Sequence, residues 1–300
     1  MKTLITGGSG LIGSEFNSPH KLSTKVCNIL NIDEIEKLFE KENFDSVIHT
    51  AARVGGVLAN TNYIYDFFLE NIKMNTNIID IARKRNIKKL IGFASTCAFP
   101  AEIEYPLTEE KMHHGPPHAS NYGYAYAKRM IDIQIKTCNQ QYGTKYFTVI
   151  PTNVYGPNDN YHLENGHVLP SLIHRCYNAK IQDEDFEVWG SGSALREFVF
   201  SKDVANICEI LLDKYEETAP VIISTSNETS IKQAVTMITS ILDFKGKIIW
   251  NTDKPEGQFR KPTDTSKMKS IIKNYKFIKF EKGLEETIKY FVNNYNIIRK

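Results

Sequence analysis

The stretch Thr6-Gly7-Gly8-Ser9-Gly10-Leu11-Ile12-Gly13 directly follows the short apolar run Thr3-Leu4-Ile5 and is expected to open a helix. Glycines at 7, 10 and 13 permit a tight turn, close approach of the backbone to a pyrophosphate, and tight packing of helix on strand. A glycine-rich turn is weak information by itself. Placed after a first strand and before a helix, it marks a dinucleotide-binding βαβ unit. The helix N-terminus would offer unpaired N–H groups and the positive end of its dipole to the phosphates.

The chain around this loop has the matching texture. Short runs rich in β-branched residues at 3–6, 46–50, 89–94 and 146–151 alternate with helical periodicity at 33–42, 63–84 and 119–142. That alternation predicts an α/β fold with a Rossmann-type doubly wound parallel sheet. In the second helical stretch Ile64, Phe67, Phe68, Ile72, Ile78 and Ile79 form an apolar face wide enough to cover the sheet and also meet a second copy. After Gly156 the sequence turns rich in Asn, His, Gly and Pro, with a helical stretch at 169–179, strands at 221–226 and 247–250, and a terminal helix at 284–294. The expected division is a dinucleotide-binding domain at 1–156 plus about 197–226, and a smaller, interleaved C-terminal substrate lobe at 157–196 and 227–300.

Bulk composition narrows the function classes. Among 300 residues, 37 basic side chains face 35 acidic ones, so net charge gives no reason to expect nucleic acid or an anionic membrane as partner. The five cysteines are scattered without a CxxC pair, which suggests neither a disulfide framework nor a metal site. The opening apolar run is too short for a signal-peptide core, and no later run nears the ~20 residues of a membrane span. A cytoplasmic protein is expected.

The GxxGxxG spacing resembles that of short-chain dehydrogenases. Only a short stretch separates Gly13 from Lys25, so the first helix must be truncated. The expected second strand lacks a terminal Asp or Glu to hold a ribose 2′-hydroxyl. Ser23-Thr24-Lys25 instead offers two hydroxyls and an ammonium suited to a 2′-phosphate, which favours NADP(H).

Tyr124-Ala-Tyr-Ala-Lys128 sets a phenol and an ammonium one turn apart on a helix face. Reduction of a ketone requires a proton at oxygen as hydride reaches carbon, and a free phenol near pKa 10 is a poor donor at neutral pH. A nearby ammonium and an oxidised nicotinamide stabilise the phenolate and bring its pKa toward working pH. Ser95, closing the strand at 89–94, would put a hydroxyl beside the same carbonyl. Tyr122 and Tyr126 are rival phenols, but neither has a lysine four residues on.

Next to Ser95 stands Cys97. A ketone at C4 of a sugar acidifies the protons at C3 and C5, and a thiolate with an acid on the opposite side can remove and return them. The acid is expected from the loop-rich lobe, with His167 favoured and His162 and His174 as competitors. Acidic residues in place of Cys97 and Ala98 would suit dehydration, which is therefore disfavoured.

Taken together, GGSGLIG (7–13), STCAFP (95–100), NYGYAYAKRM (121–130), PTNVYGPNDN (151–160), NGHVLP (165–170) and WGSGSALREFVFSKDVA (189–205) resemble the GDP-L-fucose synthase family, from the first strand to about Asp264. The resemblance implies an extended short-chain dehydrogenase fold, NADPH as cofactor, a GDP-linked 4-keto-6-deoxy sugar as substrate, and a homodimer paired through two long helices. It implies reduction by Ser95, Tyr124 and Lys128, and 3,5-epimerisation by Cys97 and His167. Cofactor contacts are expected at Gly7, Gly10, Leu11, Ile12, Gly13, at Ser23, Thr24, Lys25, at Ala51, Ala52, at Tyr124, Lys128, and at Pro151, Asn153, Val154, His167. Substrate contacts are expected at Ser95, Asn153, Val168, Leu172, Arg175, Trp189 and Arg196. The two arginines offer planar forks for a diphosphate, and the tryptophan offers a stacking face.

Two alternatives define what must be tested. One is C4-reduction of a GDP-4-keto-6-deoxyheptose without epimerisation. The other is a catalytically silent NADP(H)-binding regulator, which would have no need of Ser95, Tyr124 and Lys128 together.

Overall fold

A computed structural model describes residues 1–254 and 258–299. The first half carries β1 (Thr3–Thr6), α1 (Ile32–Lys41), β2 (Ser46–His49), α2 (Val57–Asn62), α3 (Ile64–Lys84), β3 (Lys89–Phe93), α4 (Tyr122–Tyr142) and β4 (Lys145–Pro151). It continues with β5 (Asn153–Tyr155), α5 (Val168–Gln182), β6 (Phe186–Trp189), β7 (Leu195–Phe200), α6 (Ser201–Lys214) and β8 (Val221–Ile223). The chain closes with β9 (Glu228–Ser230), α7 (Ile231–Ile241), β10 (Ile248–Asn251), α8 (Ser266–Ile272) and α9 (Phe280–Asn293).

The central sheet has the order β1-β2-β3-β4-β8 and all its pairs are parallel. Strand side chains alternate between two apolar layers, as a sheet covered on both faces requires. Leu4, Val47, Leu90, Tyr146 and Ile222 pack toward Ile35, Phe39, Ile78, Ile131 and Ile135 of α1, α3 and α4. Their neighbours Ile5, Ile48, Ile91, Phe147 and Val221 pack toward Val204, Ile207, Leu211 and Met268 of α6 and α8. A third apolar cluster joins α5, α7 and α9 to β6 around Ile173, Phe186, Ile238, Leu284 and Phe291. Beside it run a β5-β7-β9 sheet and a parallel β6–β10 pair.

The second direction of winding is reduced to one short segment. On the free side of β1, Ile5 pairs with Lys21 in an isolated parallel bridge, with Ile5 N donating to His20 O at 2.9 Å and Leu22 N to Ile5 O at 2.8 Å. The chain then crosses to β2 on the other side. The glycine loop therefore sits where the sheet changes winding direction, the place at which open α/β sheets bind ligands.

One expectation is corrected here. The glycine loop does not open an α-helix; it enters a 3-10 helix of three residues, Gly13–Glu15. Phe16 is buried at once and the chain must return to Lys21 beside β1, leaving no room for further turns. A dipole summed over a long helix is absent, so phosphates there would be held by local N–H groups. The helix expected at 119–142 begins with a 3-10 turn, Ala119–Asn121, and ends at Gly143 in the left-handed conformation, φ +66°.

Candidate active site

The loop after β1 lies flat on the end of β2. Gly7 has φ +68°, and a Cβ there would stand 2.8 Å from the Ala51 backbone. A Cβ on Gly13 would stand 2.2 Å from the Gly7 carbonyl oxygen. Side chains are excluded at both positions, which leaves a backbone-walled trough.

That trough is one end of a cavity of about 560 Å³. Gly7, Gly10, Leu11, Ile12 and Gly13 form its floor, with Ser23 and Thr24 at the outer end and Ala51 and Ala52 alongside. Ser95, Cys97, Tyr124 and Lys128 line its inner end, facing Pro151, Asn153, Val154, His167 and Val168. All of these were expected from sequence, and the fold brings them into one space. Lys25 is exposed and stands outside the lining, next to Thr24.

Tyr124 and Lys128 both stand on α4. Lys128, buried in α4, donates from Nζ to the Phe93 carbonyl at 2.8 Å and lies 5.8 Å from the centre of the Tyr124 ring. Burial lowers its pKa to about 8. Lys128 does not by itself bring about the expected acidification of Tyr124. Burial pushes its pKa upward, the Cys97 thiol adds to this, and a hydrogen bond with Ser95 opposes both. Tyr124 here is a firmly protonated phenol, the form a proton donor needs. Phe67 meets its ring edge to face at 6.3 Å. The rival phenols play other parts: Tyr122 is exposed, and Tyr126 packs on Tyr122 and under the Arg129 guanidinium.

Ser95 caps the short turn Thr96–Ala98, its Oγ accepting the Cys97 N–H at 3.2 Å. The thiol thus enters the cavity from a turn held by the serine. Arg129 Nε donates to the Ala98 carbonyl and fixes the turn from behind.

The three histidines are placed differently. His162 Nδ1 accepts the Glu164 and Asn165 N–H groups, and His174 is buried against Phe291 with Nδ1 on the Tyr161 carbonyl. Only His167, of these three, lines the cavity.

The expected substrate contacts divide. Asn153 donates to the Glu197 carbonyl at 3.1 Å and Val168 is exposed to the cavity. Leu172 belongs to the apolar core of the lobe. Arg175 stacks on Trp189, 4.0 Å from the ring centre, and donates to the Leu163 carbonyl; Arg196 donates to the Leu195 carbonyl at 2.7 Å. These last three and Leu172 lie outside the lining of the main cavity.

Sequence reading passed over Asp159, Lys261 and Arg299. Asp159 and Arg299 line the cavity, and Asp159 lies 3.6 Å from His167. Burial lowers the pKa of Lys261, while nearby Cys97 and Arg196 act on it in opposite senses. Asp159 sat inside a quoted motif without a distinguishing signal. Lys261 and Arg299 lie outside all of the motifs and are brought in only by tertiary folding.

A glycine cradle where Cβ atoms would clash, leading to a serine, a phenol and a buried ammonium, fits an extended dinucleotide with its reactive ring at the inner end. This combination defines an enzyme of the short-chain oxidoreductase type. Comparison with known proteins agrees: residues 14–224 match the NAD dependent epimerase/dehydratase family. A GDP-L-fucose synthase of Dictyostelium discoideum is 41% identical over 310 residues, covering 99% of this chain and 97% of its own. The structure of a GDP-L-fucose synthetase from Naegleria fowleri bound to NADP superposes with a TM-score of 0.94 at 38% identity, over 99% of this chain and 94% of that one. A GDP-6-OMe-4-keto-L-xylo-heptose reductase from C. jejuni is more remote, with a TM-score of 0.89 at 25% identity over 97% of both chains. The chain belongs to the GDP-L-fucose synthase family within the NAD dependent epimerase/dehydratase family. Among the described residues no helix is long and apolar enough to cross a membrane.

Proposed function

We propose that this enzyme reduces C4 of a GDP-linked 4-keto-6-deoxy sugar with NADPH and also epimerises C3 and C5, in the manner of a GDP-L-fucose synthase. The observation that carries this reading is that Cys97 and His167 line the same cavity as Ser95, Tyr124 and Lys128. A reductase without epimerisation has no use for the first pair.

Bound NADPH supplies the hydride to C4. The Ser95 and Tyr124 hydroxyls hold the C4 oxygen, and Tyr124 gives it a proton, so the ketone becomes an alcohol. Lys128 stabilises the phenolate left behind, and its lowered pKa eases recovery of the proton. Before reduction, Cys97 as thiolate takes a proton from the carbon next to the ketone, and His167 returns one from the other side. The enolate between these steps is stabilised by the same hydroxyl pair at the C4 oxygen.

The dinucleotide is assigned to 1–156 with 197–226, and the sugar nucleotide to 157–196 with 227–300. Ser23, Thr24 and the adjacent Lys25 are assigned to the adenosine end. Arg175, Arg196 and Trp189 are assigned to the GDP group, which requires Arg175 to leave the tryptophan face it covers. Pairing of two copies through α3 and α4 completes the reading. Its support is the direct packing of α3 against α4, with Ile64, Tyr65, Tyr122 and Ile133 left exposed on these two helices. A cytoplasmic location belongs to the same proposal.

The test is incubation with GDP-4-keto-6-deoxymannose and NADPH, followed by NMR of the product. Cofactor oxidation with a GDP-6-deoxyhexose epimerised at C3 and C5 is expected. Turnover confined to the corresponding heptose, without epimerisation, would replace this reading by the heptose reductase; cofactor binding without turnover of either sugar would leave the silent regulator.

A further inference from the structure

Asp159 lies in the loop between β5 and α5, behind His167. It is buried, 4% exposed, with Oδ1 accepting the Asn160 N–H at 2.7 Å and standing 3.6 Å from His167 Nδ1. Asp159 Oδ2 and His167 Nδ1 are both buried atoms without a hydrogen-bond partner among the described residues. A buried carboxylate oxygen and a buried ring nitrogen are costly to leave unmatched, and here the ring nitrogen stands beside the same carboxylate, 3.6 Å from its Oδ1. A small rotation of the imidazole closes the gap to hydrogen-bonding distance.

We propose that Asp159 is a positioning residue for epimerisation: it takes the Nδ1–H of His167, fixes the ring's tautomer, and turns Nε2 toward the sugar. The proposal rests on the reading of His167 as the group that returns a proton to carbon. An imidazole oriented through Nδ1 by a buried carboxylate has its other nitrogen defined as the proton-transfer atom, and the carboxylate favours the charged ring.

The surroundings fit that role. Burial pulls the His167 pKa down, Asp159 more than reverses this, and Arg299 opposes Asp159, with a net upward shift. Arg299 comes from the segment after α9, and its carbonyl accepts the Tyr161 N–H at 2.9 Å, tying down the loop that carries Asp159. The other titratable groups lining the cavity are Cys97, Tyr124, Lys128 and Tyr155, with Cys27, Arg53 and Glu70. The raised pKa keeps His167 charged, as an acid, at pH values where a free histidine has lost its proton.

The test uses Asp159→Asn, which keeps shape and removes charge. Two activities are read in the full-length protein: deuterium entry at C3 and C5 of GDP-4-keto-6-deoxymannose in heavy water without cofactor, and NADPH oxidation with the ketone already epimerised at both centres. Deuterium entry at C3 and C5 is expected to fall on the order of 100-fold, the scale of a positioned acid or base. Reduction of the epimerised ketone is expected to fall no more than about threefold, a fraction of that loss. The pH above which deuterium entry declines should move down, and NMR titration of labelled His167 should show its midpoint moving the same way. Equal loss of both activities, or an unmoved midpoint, would overturn the role. If the wild-type enzyme exchanges no deuterium, the assignment of His167 as acid fails. The titration then still decides whether Asp159 governs the ring. Should the variant not fold, a wild-type His167 midpoint below the ordinary 6.5 would by itself contradict the proposal.

Discussion

The Ser95 hydroxyl accepts the backbone N–H of Cys97 at 3.2 Å, so the group that stands beside the Tyr124 phenol also caps the turn that presents the thiol. In the proposed mechanism, reduction and epimerisation therefore share Ser95. Ser95→Ala is expected to slow reduction by about 10²–10³, as for loss of one donor to a developing oxyanion. It should also slow deuterium entry at C3 and C5, because the cap is lost. Ser95→Thr retains the cap and should recover deuterium entry more fully than reduction. Steady-state NADPH oxidation and NMR in heavy water measure the two.

Cys97 sits within reach of the charge of Lys261, while the reductive groups Tyr124 and Lys128 belong to α4. The duties can thus be separated by substitution. Cys97→Ser is expected to lower deuterium entry at least about 100-fold. NADPH oxidation with the epimerised ketone should persist. Equal loss of both would show that the thiol serves reduction as well.

Gly13 meets the Gly7 carbonyl so closely that any Cβ must displace the loop. Gly13→Ala is expected to weaken NADPH binding by more than tenfold, equivalent to over about 1.4 kcal/mol. Titration calorimetry with NADPH measures it directly. The same substitution at Gly143, where a Cβ meets nothing within 4 Å, should leave binding unchanged and cost stability alone through its φ of +66°.

His49 is buried at the end of β2, hydrogen-bonded to Thr6 Oγ1 at 2.7 Å and to Asn75 Oδ1 at 3.1 Å. Burial, with help from the Lys128 charge, lowers its pKa to about 3 against an ordinary 6.5. Below pH 6.5 the unfolded chain takes up a proton that the folded one refuses until about pH 3, so stability falls through that window as pH drops. The loss amounts to about 2 kcal/mol by pH 5. Denaturant unfolding at pH 7 and pH 5 checks this: His49→Asn should lose less than the wild type between the two.

Much of the sheet was legible because the short runs rich in β-branched residues at 3–6, 46–50, 89–94 and 146–151, separated by helical periodicity, are those of strands covered on both faces by two opposed cores. The helical stretches at 33–42 and 63–84 emerge as α1 and α3 within a residue at each end. Truncation of the helix after Gly13 was legible in the short spacing to Lys25, but its reduction to a 3-10 turn was not, because Phe16 and Lys21 must reach the core and the edge of β1 within a few residues. The helix α6 was absorbed into a motif, since Phe200 passes from β7 into Ser201 with no turn residue between. Within the site, Ser95, Tyr124, Lys128, Cys97 and His167 could be named because each lies in a local motif. Asp159 could not be matched to His167, nor Lys261 to Cys97, because those neighbours are made by tertiary folding. The stacking of Arg175 on Trp189 was hidden for the same reason.

In the proposed mechanism the Tyr124 phenol delivers the proton while Cys97 and His167 work at C3 and C5. NMR of Tyr124→Phe with GDP-4-keto-6-deoxymannose and NADPH in heavy water tests it most directly. The expected result is a ketone carrying deuterium at C3 and C5 that is reduced at least about 100-fold more slowly than by the wild type. Reduction at a rate within a few-fold of the wild type would contradict it.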